Sequence, residues 1–330
     1  MPTTEVEIIP QAPKKAMKAP RTNQTIDLGT AKVQVHATAE CIESLRRRMG
    51  KASKQKVHLA SLPKKSRYTA KNADHHELYQ LSVQSPDEDV LFLRRVYKSL
   101  RKKKAMHFRE DFCGTALLST TWVNTMDGAT AEGYDIDCSP LAWGLVNNLG
   151  DAGEVAENVT LVVADVREPS ITPPDIRCAQ NFSYCCFKER EELVGYFKAV
   201  LEDLATDGVF VLDIHGGSET QSEMEEEREI PDGFTYVWDQ DRYWPITGDA
   251  LNYIHFRFED GTELYRAFTY DWRLWGLPEL RDCLIEAGFA SVQTYWEGTA
   301  DDGESGNGIF KVAKRGEADL SWIAYLAATK

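Results

Sequence analysis

From Ala105 onward the chain alternates apolar runs of strand length with amphipathic stretches of helical spacing. Ala105 to Phe108 leads into the acidic pair Glu110 and Asp111. The small-residue turn Cys113-Gly114-Thr115-Ala116 follows, then an apolar-patterned stretch from Leu117 to Val123. The order reads as strand, tight turn and helix. Thr130 to Asp137 and Val159 to Glu168 are further apolar runs that end in acids. Ile176 to Phe182 is a fourth run, and Gly208 to Asp213 a fifth, after the amphipathic stretch Glu189 to Ala205. Such runs separated by helical patterns predict an α/β fold: a doubly wound, mostly parallel sheet with helices on both faces.

The flanks differ in texture. Residues 1–37 mix Pro, Lys, Thr and Gln without sustained periodicity and read as a disordered or loosely docked basic tail. Residues 38–104 read as an N-terminal helical extension. Thr38 to Met49 has helical spacing with Gly50 as its stop, Lys51 to Asn72 is basic and turn-rich, and Asp87 to Leu100 is a helix with Ser85 as cap and Pro86 at its first position. Residues 105–330 form the main domain. Within it, residues 228–273 change to short alternating runs, with Glu259-Asp260-Gly261-Thr262 as a hairpin turn, and predict an antiparallel β insert. Leu277 to Ala287 reads as a helix stopped by Gly288, Ala290 to Trp296 as a closing strand, Ile309 to Ala313 as an edge strand and Leu320 to Ala328 as a short terminal helix.

Charge is unevenly spread. The net charge is −14, yet residues 1–104 carry 22 Lys and Arg against 10 Asp and Glu, and the remainder 16 against 42. A basic arm on an acidic body permits nucleic-acid contact, but packing of the arm on its own domain is the favoured reading, because the acidic body repels phosphates. Seven cysteines without a CxxC pair give neither a disulfide framework nor a zinc site. His75-His76 are adjacent and share no helical face, so no metal is expected there. No apolar stretch of spanning length occurs, and the N-terminus lacks the pattern of a signal peptide. A reducing, cytoplasmic setting without membrane attachment is the default expectation.

The turn at Gly114 lets backbone approach a ligand closely, and the helix after it offers free N–H groups. Together with the strand-end acids, this stretch resembles the first motif of the class I, Rossmann-like S-adenosylmethionine-dependent methyltransferases. That motif usually reads Asp-Leu-Gly-Cys-Gly-Thr-Gly; here Glu110-Asp111-Phe112-Cys113-Gly114-Thr115-Ala116 stands in its place, with Phe112 and Ala116 where the outer glycines would be. The resemblance covers roughly residues 76–330 in element order. It implies S-adenosylmethionine as methyl donor and S-adenosylhomocysteine as product. It puts Glu110, Cys113, Gly114 and Thr115 at the turn, Asp135 and Ile136 at the ribose, Asp165 and Val166 at the adenine, and Asn181 and Phe182 where cofactor and acceptor meet. It also implies that an aromatic ahead of the domain, here Tyr79, closes over the cofactor; read on its own, Tyr79 is equally a half-buried residue packing on the first helix. Trp143 reads either as packing on the adenine side or as core.

Methyl transfer is an in-line displacement in which the enzyme positions two reactants, and a base helps only when the acceptor must lose a proton. His215 after the fifth run is a candidate base or, equally, a loop histidine bonded to backbone. Tyr184 is a candidate orienting hydroxyl. The ending LPELRDCLIEAGFASVQTYWEG looks like that of small-molecule methyltransferases, in which such an insert roofs the substrate pocket. Tyr243, Trp244 and Trp272 of the insert are therefore expected to line an acceptor pocket; a dimerisation surface is the rival reading for these aromatics. A small-molecule acceptor is favoured. The alternatives are an RNA methyltransferase using the basic arm and a non-catalytic S-adenosylmethionine-binding protein.

Overall fold

The computed structural model describes residues 20–62, 68–300 and 306–330. The tail expected over residues 1–37 lies outside the described residues as far as residue 19. From Thr22 it is a correction: β1 (Thr22–Asp27) and β2 (Lys32–Ala37) form an antiparallel hairpin, and β2 joins the main sheet in parallel with a later strand. Val33 and Val35 are fully buried, which ties this hairpin to the core.

Three helices follow, α1 (Ala39–Ala60), α2 (His75–Val83) and α3 (Pro86–Arg101). Thr38 caps α1, but the helix runs through Gly50. Ala52 and Leu59 are buried beyond it, and their packing outweighs the roughly 1 kcal/mol that an internal glycine costs. Asp74 caps α2 by accepting from the His76 and Glu77 N–H groups. Ser85 sits before α3 without a side-chain capping bond.

Next come β3 (His107–Asp111), α4 (Leu117–Asn124), β4 (Thr130–Asp135) and α5 (Cys138–Gly144), which continues into a π-helical turn at Leu145–Leu149. The single turn α6 (Gly150–Ala152) leads to β5 (Val159–Val163), β6 (Ile176–Ala179), α7 (Arg190–Asp203) and β7 (Val209–Gly216). Four strands then form a separate antiparallel sheet: β8 (Met224–Ile230), β9 (Phe234–Trp244), β10 (Asp249–Phe258) and β11 (Glu263–Arg273). The insert thus begins at Met224, before the expected residue 228, because the acidic and exposed run MEEEREI lacks the apolar alternation that marks a strand. The chain closes with α8 (Leu277–Ala287), β12 (Ser291–Thr299), β13 (Gly306–Val312) and β14 (Trp322–Thr329). The helix expected at Leu320–Ala328 is a correction: β14 lies between β7 and β12, antiparallel to both, with Leu326, Ala327 and Ala328 fully buried. A strand covered on both faces shows no alternation, and its alanines imitate a helix.

The main sheet has ten strands in the order β1-β2-β5-β4-β3-β6-β7-β14-β12-β13, parallel from β2 to β7. One apolar core packs α1, α3, α4 and α5 on one face, and a second packs α7 and α8 on the other. The chain leaves β3 for β4 and β5 on one side and returns to β6 and β7 on the other. The carboxyl edge between β3 and β6 is therefore the switch point where open α/β sheets hold ligands.

Gly144 lets α5 approach this edge: a β-carbon there would overlap the Thr115 carbonyl. Gly144→Ala is expected to destabilise the protein by about 1–3 kcal/mol, as overpacking against backbone does, and to lower cofactor affinity by moving the turn. Thermal melting and calorimetry check both parts; an unchanged protein would mean the turn yields freely.

Candidate functional site

The turn after β3 is built on three left-handed residues at alternate positions: Phe112, Gly114 and Ala116, with φ of 56°, 52° and 54°. Phe112 and Ala116 thus adopt the backbone that the glycines of the resembling motif would supply, at roughly 1–2 kcal/mol each. Surrounding contacts hold the strain. The Cys113 N–H donates to the Tyr134 carbonyl at 2.9 Å and the Ala116 N–H to the Cys113 carbonyl at 2.7 Å. Gln80 of α2 donates to the Thr115 hydroxyl at 2.6 Å, and Asn148 to the Thr115 carbonyl at 2.9 Å. Thr115 is thereby committed to α2 and the π turn.

Asp135 ends β4. Its carboxylate accepts the Gly114 N–H and the Asp137 N–H, each at 2.8 Å. One oxygen is used by each bond, which leaves both with a lone pair for a vicinal diol. Burial pushes its pKa up to about 6. Ile136 next to it is 52% exposed, an apolar side chain left uncovered at the strand end. Glu110 is turned the other way: it is buried and accepts the Ser119 N–H at 2.9 Å and hydroxyl at 2.6 Å, so it ties α4 to β3. Burial raises its pKa to about 8, with the neighbouring Asp135 and Asp89 carboxylates adding to the effect.

Asp165 follows β5 and is held bidentately by the Arg167 guanidinium, at 2.9 and 2.6 Å, with the Arg167 N–H on the same carboxylate at 2.9 Å. Val166 is buried. After β6, Asn181 and Phe182 are both left-handed, at φ 54° and 57°, and both N–H groups donate to the buried Asp213, at 2.7 and 3.0 Å. Burial lifts Asp213 to about 7. Two consecutive non-glycine residues in this region are costly and cluster at functional sites.

The Phe182 ring packs on His215, with centroids 4.3 Å apart, and sits 6.4 Å from Trp272. Burial lowers the His215 pKa to about 4, so its ring is neutral at pH 7. Tyr184 corrects the sequence reading. It is 1% exposed and donates its hydroxyl to the Asp213 carbonyl at 2.7 Å, so it belongs to the wall and has no hydrogen left for an acceptor.

The insert presents one face to this edge. Cross-strand register places Tyr236, Trp238, Phe268, Tyr270 and Trp272 together on it, with Tyr79 of α2 opposite. Tyr79 packs on Phe268 at 5.0 Å and shares a hydroxyl hydrogen bond with Tyr270. A bulge at Asp241 inverts the alternation of β9. Tyr243 pairs with Ala250 on the inward face, whereas Trp244 moves to the outer face, 41% exposed with Arg242 over its ring. Trp244 is thus a second correction, since a one-residue slip swaps faces. Trp143 is half-buried and faces His76 of α2, 5.7 Å between rings.

Glu225, Asp239 and His255 on the outer face of the insert come within metal-ligand reach of one another. His255 Nδ1 accepts the Arg266 N–H at 2.7 Å, so Nε2 carries the proton and donates to Asp239 at 3.0 Å. A neutral ring in that tautomer has no lone pair left for an ion.

Sequence reading missed Arg109, Arg177, Gln80, Asn148 and Asp213. For Arg109 the signal was there: an arginine inside a buried strand requires charged partners.

No protein-family model matches the chain, and no curated protein matches it in sequence. Solved structures do match it in shape. The CcbJ methyltransferase from Streptomyces caelestis superposes with a TM-score of 0.56 at 15% identity over 76% of this chain and 97% of that one. DesVI of Streptomyces venezuelae gives 0.56 at 16% identity, over 78% and 98%. CalS10, an amino pentose methyltransferase from Micromonospora echinaspora solved with S-adenosylmethionine bound, gives 0.54 at 15%, over 78% and 96%. With its mostly parallel main sheet and separate antiparallel sheet, the chain shares the Rossmann-like fold of these methyltransferase structures.

Proposed function

We propose that this protein is an S-adenosylmethionine-dependent methyltransferase acting on a small-molecule acceptor. One observation carries the reading: the triple left-handed turn at Phe112, Gly114 and Ala116 is clamped by its own N–H onto Asp135, a carboxylate with both oxygens still able to accept. In this reading Asp135 takes the ribose hydroxyls and Ile136 covers one face of the adenine. The turn would hold the methionine end, with Phe182 and His215 at the methyl-donor end of the crevice. When bound, S-adenosylmethionine would supply an activated methyl group for an acceptor lone pair, with neutral S-adenosylhomocysteine as the leaving group. The chain's task is to align the two and exclude water.

The inward face of the insert supports an acceptor with apolar or aromatic surface, since Tyr236, Trp238, Tyr270 and Trp272 surround the approach. His215 is neutral at pH 7, and burial that lowers its pKa to about 4 makes it a weak base, so in this reading it packs beside Phe182 and orients the acceptor. The sugar N-methyltransferase KedS8 from Streptoalloteichus shares the fold, which makes an amine one acceptor class to test. Among the described residues no helix is long and apolar enough to cross a membrane. All seven cysteines are free thiols, four of them buried, which supports a reducing compartment such as the cytoplasm.

Titration calorimetry with S-adenosylmethionine and S-adenosylhomocysteine tests the reading. The wild type should bind both. Asp135→Ala should lose about 1.5–3 kcal/mol of affinity, the range for hydrogen bonds to a charged group, while remaining folded. A folded wild-type protein that binds neither ligand would refute the proposal.

A further inference from the structure

Beneath the β5 end of the crevice lies a closed network of four buried charges. Arg109 of β3 and Arg177 of β6 are both fully buried, as are the side chains of their shared partner Asp111 and, nearly so, Asp203 of α7. Arg109 Nε donates to Asp111 at 2.8 Å and Arg177 Nε to its other oxygen at 2.7 Å. Tyr196 adds its hydroxyl at 2.7 Å. Both guanidiniums also reach Asp203, at 3.3 and 2.9 Å. Both guanidiniums also share one backbone acceptor, the Val166 carbonyl, reached by Arg109 Nη2 at 2.7 Å and by Arg177 Nη2.

That carbonyl belongs to the peptide whose N–H, on Arg167, donates to Asp165. Two cationic donors on the oxygen fix the peptide plane and polarise its N–H toward the carboxylate. Arg109 extends the hold along the loop, donating to the Glu168 carbonyl at 2.9 Å and the Ser170 hydroxyl at 3.0 Å. Ser170 in turn binds Asp203 through its N–H at 2.7 Å and its hydroxyl at 2.6 Å. A buried four-charge network is costly to desolvate and is no evidence of stability by itself. Here its free donors all point at one loop.

We propose that Arg109 and Arg177 are positioning residues for the adenine end of the cofactor crevice, acting through the Val166 peptide on Asp165. The proposal rests on the cofactor reading above and deepens it: the pair sets how strongly the site selects a 6-amino purine. Lysine at position 109 keeps the charge but has three donors on one nitrogen in place of the planar fork, so it cannot reproduce the contacts to Asp111, Asp203, the Val166 and Glu168 carbonyls and the Ser170 hydroxyl together.

The test compares binding of S-adenosylhomocysteine and its inosine counterpart, in which a carbonyl replaces the 6-amino group, by calorimetry. Wild type should prefer the adenosine form. Arg109→Lys should weaken S-adenosylhomocysteine about tenfold, the size of one charge-assisted hydrogen bond, and leave the inosine ligand within about twofold. Asp165→Asn should abolish the difference between the two Arg109 backgrounds, because the arginine acts through that carboxylate. Ser170→Ala, which leaves both guanidiniums paired, is the second variant should Arg109→Lys not fold; it should shift the same ratio by a smaller factor. A merely structural role would lower the melting temperature and weaken both ligands equally, which overturns the proposal while leaving the cofactor reading intact. Failure of the wild type to bind either ligand overturns both.

Discussion

Asp111→Ala is expected to destabilise the protein by about 3–5 kcal/mol, the cost of stranding buried charge. Asp111 is 1% exposed and accepts from Arg109, Arg177 and Tyr196 at 2.7–2.8 Å. Its removal leaves the two guanidiniums with Asp203 as the one carboxylate between them, and both Nε donors lose their acceptor. The same calculation makes Tyr196→Phe mild, at about 1 kcal/mol, because one neutral donor goes and the carboxylate keeps both arginines. Equilibrium denaturation in urea measures the two. If Asp111→Ala costs less than Tyr196→Phe, the network is not charge-balanced in the manner its distances imply.

This network also shows where sequence reading stops. Glu110 and Asp111 stand side by side after an apolar run, and pattern alone treats them as one acidic pair at a strand end. In the fold, strand alternation sends them to opposite faces, Glu110 to Ser119 and α4, Asp111 to Arg177 and α7. Neither carboxylate faces outward over the turn. The third acid, Asp135, was legible because it lies at the end of its own apolar run, where parallel strands open onto the crevice. The parallel core and the alternating insert were legible for the same reason: their periodicities are local. β1 and β2 were not, because the alternation of Val33, Val35 and Ala37 is only six residues long and its packing partner β5 lies more than a hundred residues away. β14 was misread because burial on both faces erases period two. Trp244 was misplaced by a bulge, which no count of alternate residues anticipates. Gln80 and Asn148, which fasten Thr115, carry no pattern at all; only the approach of α2 and the π turn gives them meaning.

The strongest pH effect should come from the carboxyls around the crevice. Burial raises Glu110 to about 8, Asp213 to about 7, and Asp135 and Asp89 to about 6. Each folded-state value lies above the unfolded one near 4. The folded protein therefore holds more protons than the unfolded chain between these values. The stability these groups contribute is fully present below the unfolded pKa and is lost as pH rises through the folded pKa. Histidines oppose this on the acid side: burial lowers His76 to about 3 and His215 to about 4, so their contribution is present above 6.5 and fades as pH falls. Below pH 6.5 the two histidines offset only part of the effect of the four acids, so stability still falls with rising pH there. Between pH 6.5 and 8 the unfolded histidines are mostly neutral and the acids act alone, so ligand-free protein should lose roughly 1–2 kcal/mol per pH unit. Cofactor binding should run the other way. Asp135 accepts ribose hydroxyls best when ionised, so affinity should fall as pH drops through about 6. Melting curves from pH 5 to 8.5, with and without S-adenosylmethionine, separate the two slopes: the free protein melts lower at pH 8 than at pH 6.5, and the ligand-induced rise is larger at pH 8 than at pH 5.5. A free protein that gains stability from pH 6.5 to 8 would mean these carboxyls are hydrated and ionised in the fold. A ligand-induced rise independent of pH would take Asp135 out of the cofactor's contacts.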